Sequence, residues 1–236
     1  MTVDPEVPKV VRRPQLSDEA ATFVRAQIMS GKLKPGDSVR VDTIAEALSI
    51  STTPAREALK TLRVEGFLDL IPRRGFQVAH LSSADIKDLF TVQALVAGEM
   101  VARAVANATP DDVARLRTLH DQLGKAAKAN DIAQLEELNH QFHRELNKLG
   151  NSPKILWVLG LLTRYVPRMY YASIPGWPES TMTDHDAILA AFEESDPEAG
   201  RAAMHAHLLH SGELLAANFD RRVGGETTAQ SEGGPD

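Results

Sequence analysis

Asp42–Val78 reads DTIAEALSISTTPAREALKTLRVEGFLDLIPRRGFQV, and this stretch decides how the chain is organised. Ile44, Ala45 and Leu48 follow helical spacing behind Asp42, which is placed to cap them. Leu48-Ser49-Ile50-Ser51 makes a turn, and a second helix starts around Thr53-Pro54, where a proline is tolerated because its missing N–H has no intrahelical partner. Ala55, Ala58, Leu59 and Leu62 form the inner stripe of that second helix, and Gly66 stops it. Phe67–Leu70 and Phe76–Val78 then read as two strands around the tip Ile71-Pro72-Arg73-Arg74-Gly75. Helix, turn, helix and hairpin in this order predict a winged helix-turn-helix, which places one helix in a DNA groove.

The residues that would meet DNA follow from the same pattern. Ser51, Thr52 and Thr53 are short polar groups at the start of the second helix, and Arg56 and Lys60 follow on its outer side. Arg73 and Arg74 sit at the wing tip, within reach of a minor groove or the backbone, and Arg40 flanks the module. Upstream, 17–30 reads as a helix with Ser17 as its N-cap; Lys34-Pro35-Gly36-Asp37 is a type II turn, and Val39 and Val41 belong to a short strand. Residues 1–14 carry prolines without periodicity and read as a flexible arm.

The bulk numbers agree with a two-part chain. Its 236 residues exceed one small core, and 43% apolar with 25% charged is an ordinary globular composition. Residues 1–80 hold twelve Lys and Arg against ten Asp and Glu; the remainder holds fourteen against twenty-two. A slightly basic head on an acidic body suits a DNA reader on a non-DNA domain. No run of eighteen apolar residues argues for a membrane span, no secretory h-region opens the chain, and there is no cysteine, which together suit a cytoplasmic protein.

From 81 to 220 the periodicity is helical throughout, with helices expected near 83–107, 110–129, 131–149, 153–172, 180–195 and 197–219. Ser83 is the expected cap of the first, and Pro167 should kink the fourth or move its boundary. Short connections make this an antiparallel all-α bundle, so the fold class is mainly α: an N-terminal winged head at 15–80, an all-helical domain at 81–220, and a disordered tail at 221–236.

Seven of the eight histidines lie in that body. Asn139 and His143 stack at i and i+4 within the stripe Leu135, Leu138, Phe142, Leu146; His185 shares a face with Ile188, Leu189 and Phe192; His207 lies beside Met204, Leu208 and Ser211. One inward histidine is more often a satisfied core group than a ligand. Three on three helices, with a carboxamide beside them, point to a divalent metal, zinc or nickel. His120 has no polar partner at i±4 and is left out; His140, His205 and His210 are placed outward, and Asp184 and Asp186 are expected to diverge from His185.

The segments IMSGKLKPGDSVR, IAEALSISTTPAREALKTLRVEGFL and RRGFQV resemble the DNA-binding domain of GntR-type transcription regulators. Thr52 stands where that family usually has arginine and Ser49 where it has the turn glycine. The later pattern N-x-x-F-H, GNSP, DHDAI and M-x-x-H-L resembles the effector domain of the FadR subfamily, known as FCD. That resemblance implies a metal on Asn139, His143, His185 and His207, with Asn139 in place of the usual aspartate, above a small-molecule pocket. It also puts Gln93 and Ala97 where an arginine and a glutamate are common. Arg164 and Arg168 are then either the cations for an organic-acid effector or a surface pair, and Tyr165 lines the pocket or merely packs. The function implied is a metabolite-controlled repressor, a homodimer on a palindromic double-stranded operator. The rival is a metal-dependent hydrolase-like enzyme using the three histidines.

Overall fold

The computed structural model describes residues 15–165 and 171–229, and the chain divides into two compact units that part after His80. The expected arm at 1–14 lies outside the described residues.

In the first unit α1 (Leu16–Met29) precedes β1 (Ser38–Val39), α2 (Val41–Leu48), α3 (Thr52–Val64), β2 (Leu68–Ile71) and β3 (Gly75–Val78). The three strands form one antiparallel sheet in the order β1-β3-β2, with Leu70 opposite Phe76 and Leu68 opposite Val78. Ala55, Ala58, Leu59 and Leu62 of α3 are fully buried, as the stripe requires. α1 is tied to the end of α3 by Arg25, whose guanidinium meets the Glu65 carboxylate at 2.5 Å and lies 5.5 Å from the centre of the Phe67 ring. Two caps differ from expectation. α1 begins at Leu16 and α2 at Val41, so Ser17 and Asp42 lie inside first turns, and Arg40 takes the N-cap position of α2 without a side-chain bond. Asp42 still favours the helix by placing a negative charge at the positive end of its dipole.

The second unit is all helical: α4 (Ser83–Asn107), α5 (Pro110–Lys128), α6 (Ile132–Leu149), α7 (Pro153–Leu162), α8 (Trp177–Glu193) and α9 (Pro197–Ala229). Ser82, not Ser83, caps α4: it accepts from the Asp85 N–H at 3.2 Å while Asp85 accepts from the Ser82 N–H at 2.8 Å. Thr109 and Asp112 cap α5 in the same way. α4 is long and apolar enough to cross a membrane, yet Phe90, Met100, Val101 and Ala104 are spent on the bundle core, packed chiefly against α9. Gly212 makes that approach possible: a Cβ there would lie 2.6 Å from the Phe90 Cβ.

Three boundaries moved. α7 ends at Leu162 and runs into a short 3₁₀ turn, Thr163–Tyr165, because a proline at 167 cannot follow a regular helix without meeting the carbonyl four residues back. α8 starts earlier than expected, at Trp177: Gly176 adopts φ +83° as its N-cap, and Pro178 falls in the first turn, where its missing N–H costs nothing. α9 continues to Ala229, past the end expected near 220, because extending an existing helix gains a hydrogen bond for each residue fixed.

Candidate functional site

In the head, every residue singled out for DNA contact is exposed: Arg40, Ser51, Thr52, Thr53, Arg56, Lys60, Arg73 and Arg74. The turn before α3 is sharp because Ser49 sits at φ +54° and its N–H caps the end of α2. Burial of Ala55, Ala58, Leu59 and Leu62 fixes which face of α3 looks outward. Arg40, Arg56, Lys60, Arg63 and Arg74 line one open cleft of about 690 Å³ between α3 and the wing, with Val39 and Phe76 in its wall. Five cations in one groove, of which only Lys60 is paired (with Glu57 at 2.9 Å) among the described residues, make a surface suited to phosphate. Arg73 is held at φ +65° at the tip, in a tight turn closed by the Arg74 N–H to the Ile71 carbonyl at 3.0 Å. It shares the wing with that cleft without lining it.

In the helical unit His143, His185 and His207 converge from α6, α8 and α9, with one ring nitrogen of each lying within 4.8 Å of the others. Their ring centres are 4.9 to 5.2 Å apart, and His185 stacks on Phe142 at 4.2 Å. His185 and His207 are buried. Burial, reinforced by the neighbouring His207 and His140, pushes the His143 pKa down to about 3. Burial lowers His185 well below the usual imidazole range, with His207, His143 and His120 adding to it. Imidazoles held neutral keep their lone pairs for a ligand. Asn139 Oδ1 and both nitrogens of His185 are buried without a hydrogen-bond partner. Orphaned donors and acceptors of this kind are what a metal-ligand set presents in the absence of its ion, so the residues fit a divalent cation.

Asp184 organises the site from outside. Its Oδ2 lies 3.3 Å from His207 Nδ1 and its Oδ1 lies 2.9 Å from His210 Nδ1. Burial would raise its pKa, but the hydrogen bonds to the two imidazoles outweigh that and hold it below the ordinary carboxylate range. With Nδ1 engaged, His207 is left with Nε2 for the centre, the usual arrangement behind a metal-binding imidazole. Neither Asp184 nor His210 was assigned this part from the sequence, because both partners come from other helices. Asp186 likewise finds His120 at 3.1 Å and Arg117 at 3.1 Å.

A cavity of about 620 Å³ opens beside the histidines. His143, His207 and Asn139 line it, Phe90, Trp177 and Leu208 supply apolar wall, and Gln93 and Ser211 offer neutral hydrogen-bonding groups. Arg144 and Lys148 line it too and are exposed. Glu136 is buried in its wall, where it accepts the Ala172 N–H at 2.7 Å, and burial raises the Tyr171 hydroxyl, with the Glu136 charge adding to it. Gln93 lines this cavity; Arg164 is exposed on the 3₁₀ turn and lines no part of it. Arg168 and the side chain of Tyr165 lie outside the described residues.

A winged helix-turn-helix with a cation-lined groove, followed by a helical domain enclosing a cavity, defines a DNA-binding regulator with a second, helical domain. The chain matches the gntR family of bacterial regulatory proteins over residues 16–78 and the FCD domain over 88–210, and it belongs to the GntR family of transcription regulators, with the FadR-like architecture. It is 27% identical to the HTH-type transcriptional regulator McbR of Escherichia coli over 215 residues, 89% of this chain and 97% of that one. A probable D-xylose utilization operon transcriptional repressor of Paenarthrobacter nicotinovorans is 26% identical over 231 residues, covering 97% and 95%. The solved structure of E. coli McbR superposes with a TM-score of 0.65 at 25% identity, covering 88% of this chain and 100% of that one. A Listeria monocytogenes regulator, Lar, shares the fold at a TM-score of 0.57 and 15% identity, covering 87% and 99%. The protein is thus a transcription regulator and not the metal-dependent hydrolase considered as its rival.

Proposed function

We propose that this regulator is a repressor, working as a cytoplasmic homodimer on a palindromic operator, and that an effector held beside a metal centre in the FCD domain controls its release. The observation that carries the reading is the convergence of His143, His185 and His207, two of which, His143 and His207, also line the cavity. These three, with the Asn139 amide oxygen, would hold zinc or nickel. Such an ion, when bound, would supply a Lewis-acidic centre that attracts an oxygen donor of the effector. Asn139 brings no charge, so the donor set is weaker toward hard cations than one with aspartate there.

The effector is an organic acid with an apolar portion. Its polar end meets the histidines, and its apolar part lies against Phe90, Trp177 and Leu208. Among the described residues the cations lining the cavity are Arg144 and Lys148, both exposed, while Gln93 and Glu136 line it from buried positions. The effector releases DNA only to the extent that it binds the DNA-incompetent state more tightly than the competent one.

Dimerisation is supported by apolar side chains left exposed on α4 and α7: Val92, Leu95, Leu156, Trp157 and Leu161, of which Trp157 is 63% exposed. Two heads related by a dyad read a palindrome, which doubles the contacts one recognition helix offers. Native mass spectrometry of the purified full chain tests the reading. A dimer carrying one ion per subunit, lost in His143→Ala and retained more tightly in Asn139→Asp, is expected. A metal-free chain after incubation with zinc and with nickel contradicts it.

A further inference from the structure

Behind His185 lies a fourth imidazole that the proposed ligand set does not use. His120 on α5 is 3% exposed, and its ring centre is 5.9 Å from that of His185 and 6.4 Å from that of Phe142. Its Nε2 lies 3.1 Å from Asp186 Oδ1, while its Nδ1 is buried and has no partner. His185 is the complementary case: fully buried, with a partner for neither nitrogen.

Counting protons joins the two. Asp186 Oδ1 lies 3.1 Å from Nε2, and a carboxylate only accepts, so a neutral His120 turned to Asp186 carries its proton on Nε2 and leaves Nδ1 as a bare acceptor. A neutral His185 that gives one lone pair to a metal carries its proton on the other nitrogen, and that N–H needs an acceptor. Asn139 Oδ1, the third buried acceptor without a partner, is committed to the proposed metal; that leaves His120 Nδ1 and the hydroxyl of Thr181, one helical turn before His185. The threonine hydroxyl can rotate onto the carbonyl four residues back, as helical threonines do, so it has another way to be satisfied. His120 Nδ1 is fixed in a ring and has none.

Building on the metal reading above, we propose that Asp186, His120 and His185 form a hydrogen-bonded relay, in which Asp186 sets the His120 tautomer and His120 Nδ1 accepts the His185 N–H. His120 and Asp186 are thus positioning residues: they decide which nitrogen His185 presents to the centre and hold its ring. At 5.9 Å between ring centres the bond is not made directly; a small rotation of either ring, or one bridging water, completes it. The relay leads away from the effector cavity, since His120 and Asp186 line a separate cleft of about 720 Å³ with Arg117, Lys125 and Lys128. The centre thereby has a structural connection to a face of the domain that the effector does not touch.

The test uses the full-length protein in two arms. In the metal-free, ¹⁵N-histidine-labelled chain, a slowly exchanging imidazole N–H assigned to His185 is expected. It disappears in His120→Leu, persists in His120→Asn, whose amide oxygen stands near the former Nδ1, and is unaffected by Thr181→Val. In the second arm, nickel is titrated against a chromophoric chelator, and His120→Leu weakens affinity about tenfold or more, with His120→Asn staying close to wild type. Should His120→Leu fail to fold, the exposed Asp186→Ala replaces it, since it removes the acceptor for Nε2 without touching the core. The relay is overturned by an N–H that survives His120→Leu, by its loss in Thr181→Val instead, or by equal weakening of nickel in the Leu and Asn variants. A wild-type chain that takes up no nickel sinks the metal reading separately, and the N–H arm still decides the relay.

Discussion

Asp184 directly precedes His185 in the chain, yet its carboxylate serves His207 on the next helix, with Oδ2 3.3 Å from Nδ1. Adjacent residues on α8 therefore serve the same centre in different ways, one as a proposed ligand and the other as the support of a different ligand. Asp184→Asn keeps the size of the side chain and removes the charge. It is expected to lower zinc or nickel affinity by roughly ten- to a hundredfold, measured by chelator competition. Unchanged affinity would mean that the His207 ring is held by packing alone.

Acid should destabilise the metal-free effector domain. The His143 pKa falls from 6.5 to about 3 on burial, and His185 moves in the same direction. Between those limits the unfolded chain binds more protons than the folded one, so stability falls as pH drops below about 6.5 and levels off once the folded histidines also titrate. Each group contributes up to ~1.4 kcal/mol per pH unit within that window. Urea midpoints from pH 7 to 4 should fall accordingly, and saturating zinc should flatten the decline because the metal competes with the protons. A midpoint independent of pH would show that these imidazoles are not buried.

Gly212 lets α9 cross α4 where Phe90 fills the core. A Cβ at 212 would lie 2.6 Å from the Phe90 Cβ and 2.8 Å from its Cγ, closer than carbon atoms pack. Gly212→Ala gains up to ~1 kcal/mol in helix propensity. The overpacking costs about 1–3 kcal/mol, so a net loss of stability is expected by denaturant titration. Since Phe90 also lines the cavity, effector affinity should drop in the same variant.

Arg56 projects from the exposed face of α3 into the cation-lined groove. Arg56→Ala should weaken operator binding by ~1–3 kcal/mol if the side chain reads a base, with specificity relaxed at that position. If it meets phosphate instead, the loss is uniform across sequences and the salt dependence becomes shallower by about one unit. Fluorescence anisotropy at several salt concentrations separates the two outcomes; identical curves for variant and wild type would remove Arg56 from the interface.

The head was legible because its signals are local. The stripe Ala55, Ala58, Leu59, Leu62 and the Pro72-to-Gly75 tip fix helix face and hairpin within a few residues of chain, and the sheet pairs Leu70 with Phe76 as that hairpin demands. Helical spacing also placed His143, His185 and His207 inward, and they do converge. What spacing does not carry is partnership between helices. His120 has no polar neighbour on its own helix, and its partner Asp186 belongs to α8. His210 is exposed, as its outward spacing predicts, and Asp184 diverges from His185, yet the two meet across α8 and α9. Arg164 shows the opposite failure: a helical period extended through a stretch that the chain leaves as a 3₁₀ turn.

The most direct test of the whole account is binding of the full-length protein to the DNA immediately upstream of its own gene, titrated at low and moderate salt with and without zinc or nickel. The account predicts a discrete dimer-sized complex at low salt whose affinity falls steeply as salt rises, as expected when several phosphates are neutralised. No complex at low salt, in any metal condition, would contradict it.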